Sequence, residues 1–300
     1  MTLPPYLQPG DTIGIVCPAG QMEAARARDC IDTLERWGFR VRAGRTLGHA
    51  FHYFSGTDEE RLDDLQQMLD DPSVKAILCG RGGYGTSRII DRLDFRAFVR
   101  SPKWVIGFSD VTVLHAHLFS VYQIASLHAP MAGAFQGEGA DSPSVATLKA
   151  ALGGGKAAYR CAPHPFNRAG RAEGVLVGGN LTLLAHLIGS RSEPDTRGLL
   201  LFIEDVGEYL YNLDRMLIQL VRSGKLEGLA GLIVGGFTDL KDTVVPFGQT
   251  AEELIRDKVE GCGFPVCFGF PTSHGGENYA LKIGGRYRLE VGEDTKLLEL

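Results

Sequence analysis

Long hydrophobic runs are missing from this chain: no segment reaches the roughly 18 apolar residues that a membrane-spanning helix needs. The N-terminal "MTLPPYLQPGDTIGIV" has neither a basic n-region nor an apolar h-region, so a cytoplasmic protein without a secretory leader is expected. Positive charge is not in excess. With 31 Lys and Arg against 36 Asp and Glu the formal net charge is -5, which leaves no basic field for nucleic acid or an anionic membrane. The 6 cysteines (Cys17, Cys30, Cys79, Cys161, Cys262, Cys267) show no C-x-x-C pair and no histidine at zinc-finger spacing. They read as reduced thiols rather than a disulfide framework. H-E-x-x-H and S-x-x-K are both absent, and Lys156 in "LGGGKAAY" lacks the spacing and the following Ser/Thr of a phosphate loop. No metal and no cofactor is expected.

What is present is an ordinary α/β composition with 300 residues and 39 glycines, enough for two domains. Strands are expected at "DTIGIVCPAG", "FRVRAG", "VKAILC" and "KWVIGF". Helices are expected over Met22–Trp37, closed by Gly38, over Glu59–Leu69, and through Ser87–Leu93. Continuous apolar strands alternating with helices predict a parallel, Rossmann-like sheet covered on both faces over residues 1–152. Residues 153–173, with clustered Gly and Pro and scattered Arg, read as a linker. Residues 174–300 then form a smaller α/β domain with a strand "GLLLFIE", a helix from Glu208 to Arg222, and a terminal hairpin turning at Gly284-Gly285.

Two places carry chemistry. In "ILCGRGGYGTSRII", Gly80, Gly82 and Gly85 have G-x-G-x-x-G spacing after a strand, so backbone amides could face an anion there. In "WVIGFSDVTVLHAHLF" a strand runs into Gly107-Phe108-Ser109-Asp110 and a helix follows. That corner lifts Ser109 above the sheet edge as a nucleophile elbow would, although G-x-S-D-V meets the hydrolase signature only in part and Ser109 could equally be an N-cap. A serine needs a base and the base an orienting acid. His274, in "FGFPTSHGGENYAL", is held between Pro271 and Gly275-Gly276 after a buried strand. Glu204-Asp205 end an apolar strand, where a carboxylate must be paired. His115 and His117, two apart on one helix, are poor metal ligands, His186 reads as a core residue of an apolar helix, and His49, His52, His128 and His164 lack a supporting motif.

Taken in order, "RGGYG", "GFSD", "GGNL", "IEDVGE" and "SHGGENYALKIG" resemble the L,D-carboxypeptidase family over nearly the whole chain. These are serine peptidases of murein tetrapeptide recycling, with microcin C self-immunity peptidases as relatives. The resemblance implies a Ser-Glu-His triad on Ser109, Glu204 and His274. It also implies an oxyanion hole from the N-H groups of Gly83 and Asp110, a small peptide substrate, and a homodimer. Arg81, the one arginine in the anion-cradling turn, is expected to contact the substrate carboxylate, or else to pair with an acid such as Glu208 or lie in solvent. Glu208 itself is expected to meet the substrate's amino group or to favour a helix N-terminus. Three alternatives remain at this point: an acyl-nucleotide peptidase with the same triad, a dinucleotide-binding oxidoreductase, and a silent binding protein.

Overall fold

The computed structural model describes residues 1–300. The first half builds β1 (Thr12–Val16), α1 (Arg28–Arg36), β2 (Arg40–Ala43), α2 (Asp58–Asp70), β3 (Val74–Cys79), α3 (Arg96–Arg100), β4 (Trp104–Gly107), α4 (Thr112–His117), β5 (Ser126–His128) and α5 (Pro143–Leu152). The five strands lie parallel in the order β2-β1-β3-β4-β5. One face is covered by Cys30 and Leu34 of α1 and by Val145 and Leu148 of α5; the other by Leu65 and Met68 of α2 and Val113 and Leu114 of α4. Parallel strands buried on both faces read as unbroken apolar runs, which is why this half is legible in the sequence.

The second half contributes β6 (Ala158–Cys161), β7 (Gly170–Asn180), α6 (Leu181–His186), β8 (Leu200–Val206), α7 (Leu210–Arg222), β9 (Gly231–Thr238), α8 (Ala251–Val259), β10 (Val266–Cys267), β11 (Leu281–Ile283), β12 (Arg286–Val291) and β13 (Thr295–Glu299). Seven of these strands form one mixed sheet, β10-β9-β8-β7-β12-β13-β6. Its two edges approach each other: the Cys161 and Cys267 sulfurs are 3.6 Å apart, and Arg168 exchanges backbone hydrogen bonds with Val266. The sheet therefore curls toward a barrel around Leu176, Phe202, Tyr287 and Leu289. All six cysteines are free thiols.

Several elements differ from the sequence reading. The segment read as a linker carries β6 and the first residues of β7. Its outer face holds ion pairs rather than apolar side chains, Arg288 to Glu173 at 2.8 Å among them, so no hydrophobic alternation marks it. Gly284-Gly285 is not a hairpin turn. β11 leaves the second sheet to pair antiparallel with β5 of the first, and the terminal hairpin is β12–β13. The glycine pair is instead bonded to β7, where Gly284 N-H donates to Leu176 and Leu176 N-H to Gly285. The helix expected from Met22 begins as a 3-10 turn at Ala24–Ala27, and Ser87–Leu93 forms two short 3-10 turns rather than a helix.

Candidate active site

The parallel strands of the first sheet end on one edge, and three of them deliver the loops that matter. Ser109 follows the end of β4 after one intervening residue, and its backbone is left-handed at φ +62°, a conformation that costs an L-residue of order 1–3 kcal/mol. Strain of this kind is what a tight strand-to-helix elbow requires. The plain N-cap reading of Ser109 fails, because its side chain caps no helix amide. The Gly-rich turn after β3 lies against it: a Cβ on Gly82 would sit 2.9 Å from Ser109 Cβ and 3.1 Å from its Oγ. Only glycine fits there. The Gly82 carbonyl accepts from Gly20 N-H at 3.0 Å, which directs the N-H of the next residue, Gly83, away from the β1 loop.

Two buried charged side chains hold this turn. Asp110 is fully buried; its Oδ2 accepts from Thr86 N-H at 2.8 Å, and burial raises its pKa. Arg61, equally buried on α2, donates to the carbonyls of Pro18, Gly56 and Gly85 and pairs with Asp58. Arg61 escaped the sequence reading. The signal was a charged residue at i, i+4, i+7 spacing with Leu65 and Met68 on a buried helix face.

Glu204 and His274, 70 positions apart in sequence, are in contact. Nδ1 of His274 is 2.6 Å from Glu204 Oε2, and the carboxylate has no exposed surface. An ionised carboxylate only accepts, so Nδ1 carries the proton and Nε2 is left as the acceptor. Nε2 is buried with no protein partner, and so is Glu204 Oε1. Burial raises the Glu204 pKa, with the His274 bond opposing it. The His274 ring stands 4.8 Å from the Phe108 ring, which places it beside the elbow, on a cleft of about 440 Å³ bounded also by Pro130, Ser144 and Asn278. The Ser109 hydroxyl is turned to the Gly82 side and makes no hydrogen bond to Nε2.

The remaining histidines near the elbow are committed elsewhere. His115 uses both ring nitrogens, on Ser126 and on the Gly107 carbonyl, and burial pushes its pKa down to about 4. His117 is bonded to Ser192, and burial likewise lowers it to about 4. His128 meets Asn278 and no carboxylate, and burial holds it well below the usual range.

Asp205 is not an alternative orienter: it accepts from Asn180 Nδ2 at 2.7 Å and from the Thr182 amide and hydroxyl at 2.9 Å, tying β8 to the start of α6. The two halves of the chain meet here, since Thr112 Oγ1 accepts from Asn180 N-H at 3.1 Å. Glu208 is bonded to Asn212 and Thr182. Arg81 does not pair with it; Arg81 is exposed, and one guanidinium N-H donates to the Gln21 carbonyl at 2.7 Å. No three His, Cys, Asp or Glu side chains are grouped to hold a metal ion, and no helix is long and apolar enough to cross a membrane.

Comparison with known proteins identifies the family. Residues 13–129 match the LD-carboxypeptidase N-terminal domain and residues 173–289 the C-terminal domain of the same family. The Bacillus subtilis protein named "Probable murein peptide carboxypeptidase" is 36% identical over 99% of this chain and 94% of its own. The murein tetrapeptide carboxypeptidase of Pseudomonas aeruginosa is 31% identical, over 93% and 92% respectively. A microcin self-immunity protein of Escherichia coli is more distant, at 25% over 97% and 93%. Among solved structures, muramoyltetrapeptide carboxypeptidase from Oxalobacter formigenes superposes with a TM-score of 0.87 at 29% identity, covering 96% of this chain and 98% of that one.

Proposed function

The chain belongs to the LD-carboxypeptidase family of serine-type hydrolases, and on that premise we propose that it removes the C-terminal D-residue from a murein tetrapeptide through Ser109, His274 and Glu204. The observation that carries this reading is the buried Glu204–His274 pair, with Nε2 bare and lying beside the strained elbow of Ser109. Ser109 Oγ attacks the carbonyl carbon of the L,D-amide as Nε2 takes its proton, and the imidazolium formed is stabilised by Glu204. The same proton then passes to the departing amine, and water hydrolyses the acyl-enzyme by the reverse relay. Hydrogen bonds of this kind commonly tighten only once substrate is bound, so the separation of Ser109 from Nε2 is compatible with the role.

Gly83 N-H and Asp110 N-H are the donors we assign to the developing oxyanion. The turn that resembles a phosphate cradle thus serves a transient anion, and each donor contributes about 3 kcal/mol of transition-state stabilisation. An acyl-nucleotide substrate finds less support, since two relatives above 30% identity are named for murein peptides while the microcin self-immunity protein is 25% identical. The test is incubation of a murein tetrapeptide with the protein. Release of one free D-amino acid per tripeptide, lost in Ser109→Ala, supports the reading. Turnover of an aminoacyl-sulfamoyl nucleotide with no turnover of the tetrapeptide would replace it.

A further inference from the structure

The loop between β2 and α2 places a tyrosine on the Gly-rich turn. Phe51 and Phe54 exchange backbone hydrogen bonds of 2.8 and 3.0 Å around His52, which is left-handed at φ +54°. This tight turn is anchored to the end of β1, with Gln21 N-H donating to the Tyr53 carbonyl at 3.2 Å and Ser55 N-H to Ala19 at 3.1 Å. The Phe54 ring is fixed beneath the guanidinium groups of Arg61 and Arg88, at 4.8 and 5.5 Å. The Tyr53 backbone is therefore pinned, yet its side chain is out in solvent, with the residue 53% exposed.

The Tyr53 hydroxyl stands 2.8 Å from where a Cβ on Gly83 would lie, and it has no hydrogen-bond partner in the protein. Gly83 adjoins Gly82, the glycine that touches Ser109, and consecutive Cα atoms are only about 3.8 Å apart. Arg81 lies near Gly20, which in turn borders Gly83. Its Nε is 3.7 Å from the Cβ position of Gly20, and Gly20 Cα is 3.6 Å from the Cβ position of Gly83. Arg81 forms no ion pair, and its one bond to Gln21 leaves other N-H donors open. A phenol O-H and an unpaired guanidinium thus flank two glycines, one step from the nucleophile. An exposed aromatic with its hydroxyl set against glycine backbone is not explained by core packing.

We propose that Tyr53 is a specificity-determining residue, donating its hydroxyl to one oxygen of the substrate's terminal carboxylate while Arg81 takes the other. The assignment rests on the carboxypeptidase reading above. A carboxylate has two acceptor oxygens, one for each of two neighbouring donors, and a charge-assisted hydrogen bond of this type supplies roughly a ten-fold change in affinity. It explains selectivity for a free C-terminus without any buried cation in the cleft.

The experiment compares wild type, Tyr53→Phe and Arg81→Ala on a murein tetrapeptide and on its C-terminal amide, with Ser109 labelling by an uncharged fluorophosphonate as a control for the nucleophile. Tyr53→Phe is expected to raise KM for the acid about ten-fold, with kcat, the amide kinetics and the labelling rate unchanged. Arg81→Ala should erode the preference for acid over amide further. A Tyr53→Phe enzyme with the wild-type acid-to-amide ratio overturns the proposal. So does an equal fall of kcat on both substrates, which would make the phenol an oxyanion donor. If wild type labels at Ser109 but does not prefer the acid, the carboxypeptidase reading has failed and the clamp falls with it.

Discussion

A carboxylate with no exposed surface is costly at the end of a β-strand unless something nearby needs its charge. Glu204 is such a group, and the single proton it engages is the one on His274 Nδ1. Because burial raises its folded-state pKa, Glu204 binds a proton more tightly folded than unfolded. Its contribution to stability is thus fully present below the unfolded value near 4.3 and is lost as pH rises through the raised folded value. Glu204→Gln removes the buried charge. The variant is expected to be at least as stable as wild type at pH 7, with wild type gaining relative to it as the pH falls, while kcat drops by about 10²–10⁴-fold for want of an orienting anion. Urea melts at several pH values, beside steady-state rates, check both halves. A Gln variant that is less stable at pH 7 and fully active would contradict this account of the residue.

The β4–elbow–α4 element shows how local strain and support are divided. Ser109 takes the left-handed conformation, while its neighbours are tied down: Gly107 by His115, Asp110 by Thr86, and Thr112 by Asn180 of the other half. Replacing Ser109 by glycine relieves about 1–2 kcal/mol of left-handed strain against about 0.4–1 kcal/mol of extra unfolded-chain entropy. Ser109→Gly is therefore expected to be about 0.5 kcal/mol more stable than Ser109→Ala, with both inactive. Thermal melts of the two variants measure it, and a glycine variant clearly less stable than the alanine one would deny the strain. This element was legible in the sequence as far as the strand, the corner and the following helix face. Its supports were not, because Thr86 and Asn180 reach it from elsewhere in the chain and His115 folds back from α4 onto the Gly107 carbonyl.

At the scale of the molecule, the two halves share a strand and a charge. β11 leaves the second half to edge the first sheet, and Lys282 on it is bonded to Glu299 of β13 at 2.8 Å, both nearly inaccessible. Apolar runs made the first sheet readable, whereas the exchange of β11 carried no local signal. Gly284-Gly285 suits a hairpin as well as it suits a crossing between sheets. Ser109, Glu204 and His274 were each marked by a strand end or a rigid loop, but only the linked motifs joined them, and Tyr53 had no mark at all. On the reading proposed above, Ser109 is the nucleophile and His274 its base. The most direct measurement is reaction of the intact protein with a serine-directed phosphonate, with the adduct located by peptide mass spectrometry. One equivalent on Ser109 is expected, slowed strongly in His274→Ala and less in Glu204→Gln. Labelling that bypasses Ser109, or proceeds at the wild-type rate in His274→Ala, would contradict it.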